Sequence, residues 1–216
     1  MPKRALAEHR PWLLASIVAA SLYYFFSDNP IGGVWLMLVK GGAVALLAIY
    51  ALRRHRSADA RMIALVMALG ALGDMAIELS FTAGGAAFFA GHLVAIALYW
   101  RNRRANDRIG GKAVAATIMV TTVIVSWLLS RDVAVTAYAT GLGAMAAAAF
   151  LSRFPRGRVA TGAALFILSD WLIFSRMGSV GESALADWMI WPLYYSGQIL
   201  IATGVIQTLR GELRSG

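Results

Sequence analysis

Of the 11 acidic residues in this 216-residue chain, Asp74, Glu78 and Asp170 fall inside long apolar runs. Lys40 and His92 are embedded in the same way, with Ser169, Tyr194 and Gln198 as uncharged company. An ionisable group in hydrocarbon is costly, so each needs a partner or a task. Two carboxyls shut away from water can divide the work of a proton donor and a base, and either can face a developing cation. There are no cysteines, which removes thiolate nucleophiles and thiolate metal sites. One His beside two Asp residues is a weak donor set, and neither a metal nor another cofactor is expected.

The elements that must hold these residues follow from composition. The chain is 59% hydrophobic and 14% charged, with a mean hydropathy of +0.66. A water-soluble domain is nearer half apolar and a quarter charged, so a bilayer must take much of this surface. Apolar runs of roughly transmembrane length occur at 12–26, 31–52, 62–80, 84–100, 113–130, 134–152, 159–175 and 189–209. The expected fold is therefore all-α: a single transmembrane domain over 1–216, a polytopic bundle of eight helices.

The connections alternate in charge. One set holds Lys3, Arg4, Arg10, Arg53, Arg54, Arg56, Arg61, Arg101, Arg103, Arg104, Arg108, Lys112, Arg153, Arg156, Arg158, Arg210 and Arg214, which is 17 of the 20 Lys and Arg residues. The other set holds only Arg131 and Arg176, beside Asp28, Asp132, Glu182 and Asp187. Basic loops stay in the cytoplasm, and eight spans with both termini inside put every basic segment on one side. The net charge of +9 is thus a topology signal and a contact with anionic lipid head groups, not a nucleic-acid surface. Tyr23, Tyr24, Tyr99, Trp100, Trp127, Trp188, Trp191, Tyr194 and Tyr195 cluster near span ends, as an aromatic belt would. Ala19-Ala20-Ser21 weakly resembles a signal-peptide cleavage site, but the first span is expected to be retained. Small residues crowd spans six and seven, where they let helices approach closely.

Depth sharpens the site. At about 1.5 Å per residue, Asp170 lies roughly 8 Å, Asp74 roughly 9 Å, His92 roughly 12 Å, and Lys40 and Gln198 roughly 13 Å from the outer ends of their spans. Glu78 is only about 3 Å down, at the interface. Faces agree with this: Phe88, His92 and Tyr99 share one in span four, Phe166 and Asp170 one in span seven, Tyr194 and Gln198 one in span eight. A pocket with a polar floor and apolar walls would look like this. Plainer roles stand beside that reading. Lys40 can simply pair with Asp74 or Asp170, a lone His often only bonds within a bundle, and Tyr194, Tyr195 and Gln198 can be packing residues.

Leu72-Gly73-Asp74 followed by Phe88-(x)2-Gly91-His92-(x)6-Tyr99 resembles the YhhN/lysoplasmalogenase family of membrane proteins. So do Phe166-Ile-Leu-Ser169-Asp170, Tyr194-Tyr195-Ser-Gly-Gln198, and Tyr138 with Met145 in span six. The resemblance runs in order from about span two to span eight. One departure is that the family usually has Lys-Pro in span two, where this chain has Lys40-Gly41. The resemblance implies hydrolysis of the vinyl ether bond of a lysoplasmalogen to a fatty aldehyde and a glycerophospho-alcohol. It also implies that Asp74 and Asp170 are catalytic, with Lys40, Phe88, His92, Tyr138, Ser169, Tyr194, Tyr195 and Gln198 binding substrate or supporting them. The partners are then a lysophospholipid substrate and the surrounding lipid of a bacterial inner membrane; oligomeric state stays open. Two other functions fit the embedded groups: a proton-coupled or lipid transporter, and a metal-dependent lipid amidase or esterase using His92, Asp74 and Asp170.

Overall fold

The computed structural model describes residues 10–27, 33–105, 109–178 and 183–212. Lys3, Arg4, Asp28, Arg108, Glu182 and Arg214 of the charge pattern lie outside the described residues. Among the described residues eight α-helices follow one another: α1 (Pro11–Phe26), α2 (Val34–Arg54), α3 (Ala58–Ala76), α4 (Phe81–Arg101), α5 (Ile109–Ser130), α6 (Val133–Leu151), α7 (Thr161–Met177) and α8 (Ala184–Leu209). A single π turn, Arg156–Ala160, leads into α7. Among the described residues there is no strand, only an isolated bridge between Arg103 and Ser152.

Caps set the helix starts. Pro11 takes the first position of α1, where a missing N–H costs nothing. Ser57, Asp132 and Ser183 each accept a hydrogen bond from the backbone N–H three residues on, at 3.1, 2.9 and 3.2 Å, and so begin α3, α6 and α8. This corrects two expected spans. α3 starts and ends four residues earlier than 62–80, and Glu78 falls in the turn beyond it. α8 begins five residues before 189, at the Ser183 cap.

Among the described residues six helical segments are long and apolar enough to cross a bilayer: α2, α4, α5, α6, the π turn with α7, and α8. α1 is shorter at 16 residues, and α3 carries Asp59, Arg61 and Asp74. Leu22, Leu65, Val120, Ile124 and Leu168 are exposed in mid-helix, as a lipid-facing surface requires. The chain is an all-α, multi-pass membrane protein. Trp100, Trp127 and Trp188 are exposed as belt residues should be, but Tyr99, Trp191 and Tyr194 are buried and belong to the interior.

The chain divides between Gly91 and His92 into two compact units. In the first, α1 packs on α2 and α2 on α3. Ser16 Oγ donates to the Ala43 carbonyl at 2.6 Å and ties α1 to α2. A Cβ on Gly41 would lie 2.5 Å from Met75 Cγ and 2.9 Å from the Ala71 carbonyl, so only glycine lets α2 and α3 meet there. In the second unit, α5 packs on α6 and α7, α6 on α7, and α7 on α8. Two glycines bring α7 and α8 close together. A Cβ on Gly162 would stand 2.7 Å from the Gly197 carbonyl oxygen, and a Cβ on Gly197 the same distance from that of Gly162. With no hydrophobic force between helices in lipid, such small-residue contacts supply the packing.

Candidate active site

In the first unit, Lys40 comes from α2 and Asp74 from the last turn of α3. Asp74 is buried. Gly73 beside it receives the Phe88 ring of α4, whose atoms would come within 2.9 Å of any Cβ there. Phe88 thus serves as a wall against the Asp74 turn. The Lys40 Nζ donates to Glu78 Oε1 at 2.5 Å, stands 5.5 Å from the Tyr23 ring centroid, and interacts electrostatically with Asp74. The expectation for Lys40 is therefore corrected in one respect: its direct ion-pair partner is Glu78. Because α3 ends at Ala76, the turn that follows brings Glu78 to Lys40. Glu78 lies four residues beyond Asp74, a spacing that already hinted at a shared direction. Tyr23, read from the sequence as a belt residue, was missed as company for Lys40.

In the second unit, three chains of contact converge on α7. Phe166, Asp170 and Phe174 recur every four residues and form one stripe of that helix. The Tyr138 hydroxyl of α6 donates to Asp170 Oδ2 at 2.9 Å, and the Tyr138 hydroxyl oxygen lies 3.0 Å from His92 Nε2 of α4. The Phe166 ring stands edge-on to both His92 and Tyr194, with centroids 5.2 Å away in each case. Phe174 closes on Tyr138 from the other end of the stripe at 6.0 Å. Gln198 Nε2 donates to the Tyr194 hydroxyl at 3.1 Å, one turn along α8. His92, Asp170, Ser169, Tyr194 and Gln198 are all buried.

Local sequence explains this geometry. Pro192 inside α8 has no N–H to give the Trp188 carbonyl four residues before it. In that turn the Ile190 carbonyl accepts a hydrogen bond from Ser169 Oγ at 2.9 Å. Ser169 therefore ties α7 to α8 directly beside Asp170. Tyr195 stacks on Trp191 at 5.8 Å and is half-buried, so it supports Tyr194 through the indole that both touch. Phe174 was missed from the sequence, although its i+8 spacing from Phe166 could have found it. Tyr99 shares the face of His92 but lies at a different depth. It packs on Phe154 at 6.2 Å, because seven residues carry it about 10 Å along the helix from His92.

The second cluster can move a proton between a carboxyl and an imidazole through a hydroxyl. The first holds a carboxylate within the field of an ammonium. Among the described residues no group of three or more His, Cys, Asp and Glu side chains could hold a metal ion.

No curated protein and no solved structure matches the chain. The model of the YhhN family matches residues 35–205, which include every residue of both clusters except Tyr23. The match covers well over half of the sequence and the same ordered motifs, so the chain belongs to the YhhN family.

Proposed function

We propose that the protein is a membrane-embedded lysoplasmalogenase-like hydrolase that opens the vinyl ether of a lysoplasmalogen by acid–base catalysis from Asp74 and Asp170. Membership of the YhhN family supports this reading. The single observation that carries it is the buried Asp170 carboxyl, hydrogen-bonded to Tyr138 and walled by aromatic rings.

A vinyl ether is cleaved by protonating its β carbon, which leaves an oxocarbenium ion. Water adds to that ion, and the hemiacetal breaks down to a fatty aldehyde and a glycerophospho-alcohol. The reaction needs a proton donor, an acceptor for the proton of water, and a negative charge near the cation; glycosidases meet a related need with two carboxyls. Asp74 and Asp170 supply these groups. Phe88, Phe166 and Tyr194 offer apolar surface to the alkenyl chain. Lys40, Tyr195 and Gln198 supply polar groups for the head-group end. In the proposed orientation both termini are cytoplasmic and the membrane is a bacterial inner membrane. The excess of Lys and Arg in alternate connections supports that topology.

The test is direct. Purified protein incubated with a lysoplasmalogen should release fatty aldehyde, and Asp74→Asn and Asp170→Asn should each abolish release. Full activity in both variants overturns the reading, and so does the absence of aldehyde from the parent protein.

A further inference from the structure

We propose that His92 and Tyr138 form a proton chain that refills Asp170 after each turnover, which makes Asp170 the acid of the pair. The inference rests on the vinyl ether reading above. It begins from the arithmetic of one hydroxyl. Tyr138 has a single proton, and it points at Asp170 Oδ2 at 2.9 Å. The Tyr138 oxygen can then meet His92 Nε2, 3.0 Å away, only as an acceptor. His92 therefore carries its proton on Nε2, aimed along the chain. Three groups from three helices follow one another by contact: imidazole, hydroxyl, carboxyl.

The surroundings suit transfer along this line. Both ends are buried, with His92 at 4% and Asp170 at 6% exposure, so the acid does not meet bulk water freely. The rings of Phe166 and Phe174 flank the chain at His92 and at Tyr138. Asp74, in the other unit, has the Lys40 ammonium as its electrostatic neighbour, which suits a standing negative charge.

The protons balance. Asp170 gives its proton to the β carbon, the new C–H bond stays in the aldehyde, and a carboxylate remains. Tyr138 passes its hydroxyl proton to Asp170 and takes the Nε2 proton of His92 as Nδ1 takes up another, so the imidazole stays neutral and afterwards returns to its Nε2–H form. The attacking water brings two protons. One ends on the glycerol oxygen as the C–O bond breaks; the other goes to Asp74 and on to solvent, which replaces the proton taken up by His92. No oxidant or other co-reactant is consumed.

A chain of this kind is needed only to reload the acid, and that separates it from a packing role. In Tyr138→Phe the hydroxyl is gone. In His92→Gln an amide N–H still faces Tyr138 but cannot pass a proton on. First-turnover aldehyde release is measured with protein in excess, and kcat with a lysoplasmalogen in excess, in the same detergent micelles. In both variants kcat should fall at least about tenfold further than the first-turnover rate, relative to the parent protein. Imidazole in the buffer should restore part of kcat in His92→Ala. If the two rates fall together, or neither falls, the chain only packs and the proposal is wrong. An inactive Asp170→Asn together with an unchanged ratio in Tyr138→Phe and His92→Gln removes the proton chain alone. A fully active Asp170→Asn removes Asp170 as the acid and the chain with it, whereas absence of aldehyde from the parent protein removes the vinyl ether reading itself.

Discussion

Gly162→Ala tests whether the backbone contact between α7 and α8 holds the candidate site together. The new methyl would stand 2.7 Å from the Gly197 carbonyl oxygen and 2.9 Å from Ile201 Cγ1. The Ile201 branch can turn aside, but the carbonyl is fixed in its helix. To reach ordinary contact of about 3.4 Å the two helices must separate by about 0.7 Å. That displacement passes along α7 to Ser169, whose bond to the Ile190 carbonyl is 2.9 Å long. Stretched to about 3.6 Å, it is no longer a hydrogen bond. Phe166 withdraws from Tyr194 by a similar amount. Overpacking of this kind costs about 1–3 kcal/mol, against a helix-propensity gain of at most about 1 kcal/mol from replacing glycine. The net stability loss is therefore modest, while the loss of position is not. A shift approaching 1 Å in a catalytic group can cost about a hundredfold in rate. Thermal unfolding in detergent and aldehyde release should both be measured. A small fall in Tm with a large fall in kcat is expected. Parent-like kcat in Gly162→Ala would refute the idea that this contact positions Asp170.

Two neighbouring glycines in α2 give a matched pair. Gly41→Ala meets Met75 and the Ala71 carbonyl and should lose about 1–3 kcal/mol, whereas Gly42→Ala meets nothing within 4 Å and should gain up to about 1 kcal/mol. Equal Tm values for the two proteins would contradict this. Glu78→Gln should lower stability by less than about 1 kcal/mol, since its side chain is 44% exposed and water already screens the pair. Lys40→Met strips the charge from beside Asp74 and should reduce aldehyde release further than Glu78→Gln does; the reverse order would count against a site role for Lys40.

The eight helices were legible because lipid demands long apolar runs, and short charged connections separate them. Their ends were less so. Hydropathy marks where a run meets water, while Ser57 and Ser183 mark where the backbone begins to coil, and these differ by four or five residues. That difference hid the Lys40–Glu78 pair, because Glu78 was counted within a helix that stops at Ala76. Asp170 and His92 stood out as ionisable groups among apolar ones. Tyr138 did not, since a tyrosine in a membrane helix is unremarkable by composition; only the family resemblance pointed to it. Its place between His92 and Asp170 depends on how α6 turns toward α4 and α7, which no periodicity of α6 alone contains. The tether from Ser169 was also out of reach, because its partner is a backbone carbonyl.

Four of the embedded polar residues stand next to a glycine, although Asp170 does not. Lys40 precedes Gly41, Asp74 follows Gly73, His92 follows Gly91, and Gln198 follows Gly197. The physical reason lies in the solvent. A polar side chain in hydrocarbon must find its partner on another helix, at hydrogen-bond distance. Helices with ordinary side chains at their contacts sit about 8–10 Å apart, which is far for a short Asp or His to bridge. Glycine at the contact draws the neighbouring helix in, as the Gly162–Gly197 approach and the Phe88 ring over Gly73 illustrate. The Lys40-Gly41 departure from the family's usual Lys-Pro then has a structural meaning. Proline would steer Lys40 by bending α2, whereas Gly41 steers it by letting Ala71 and Met75 of α3 come close. The lysine reaches the α3 end in this chain because of that contact. Restoring proline at position 41 while the contact remains would remove the space on which the placement of Lys40 depends.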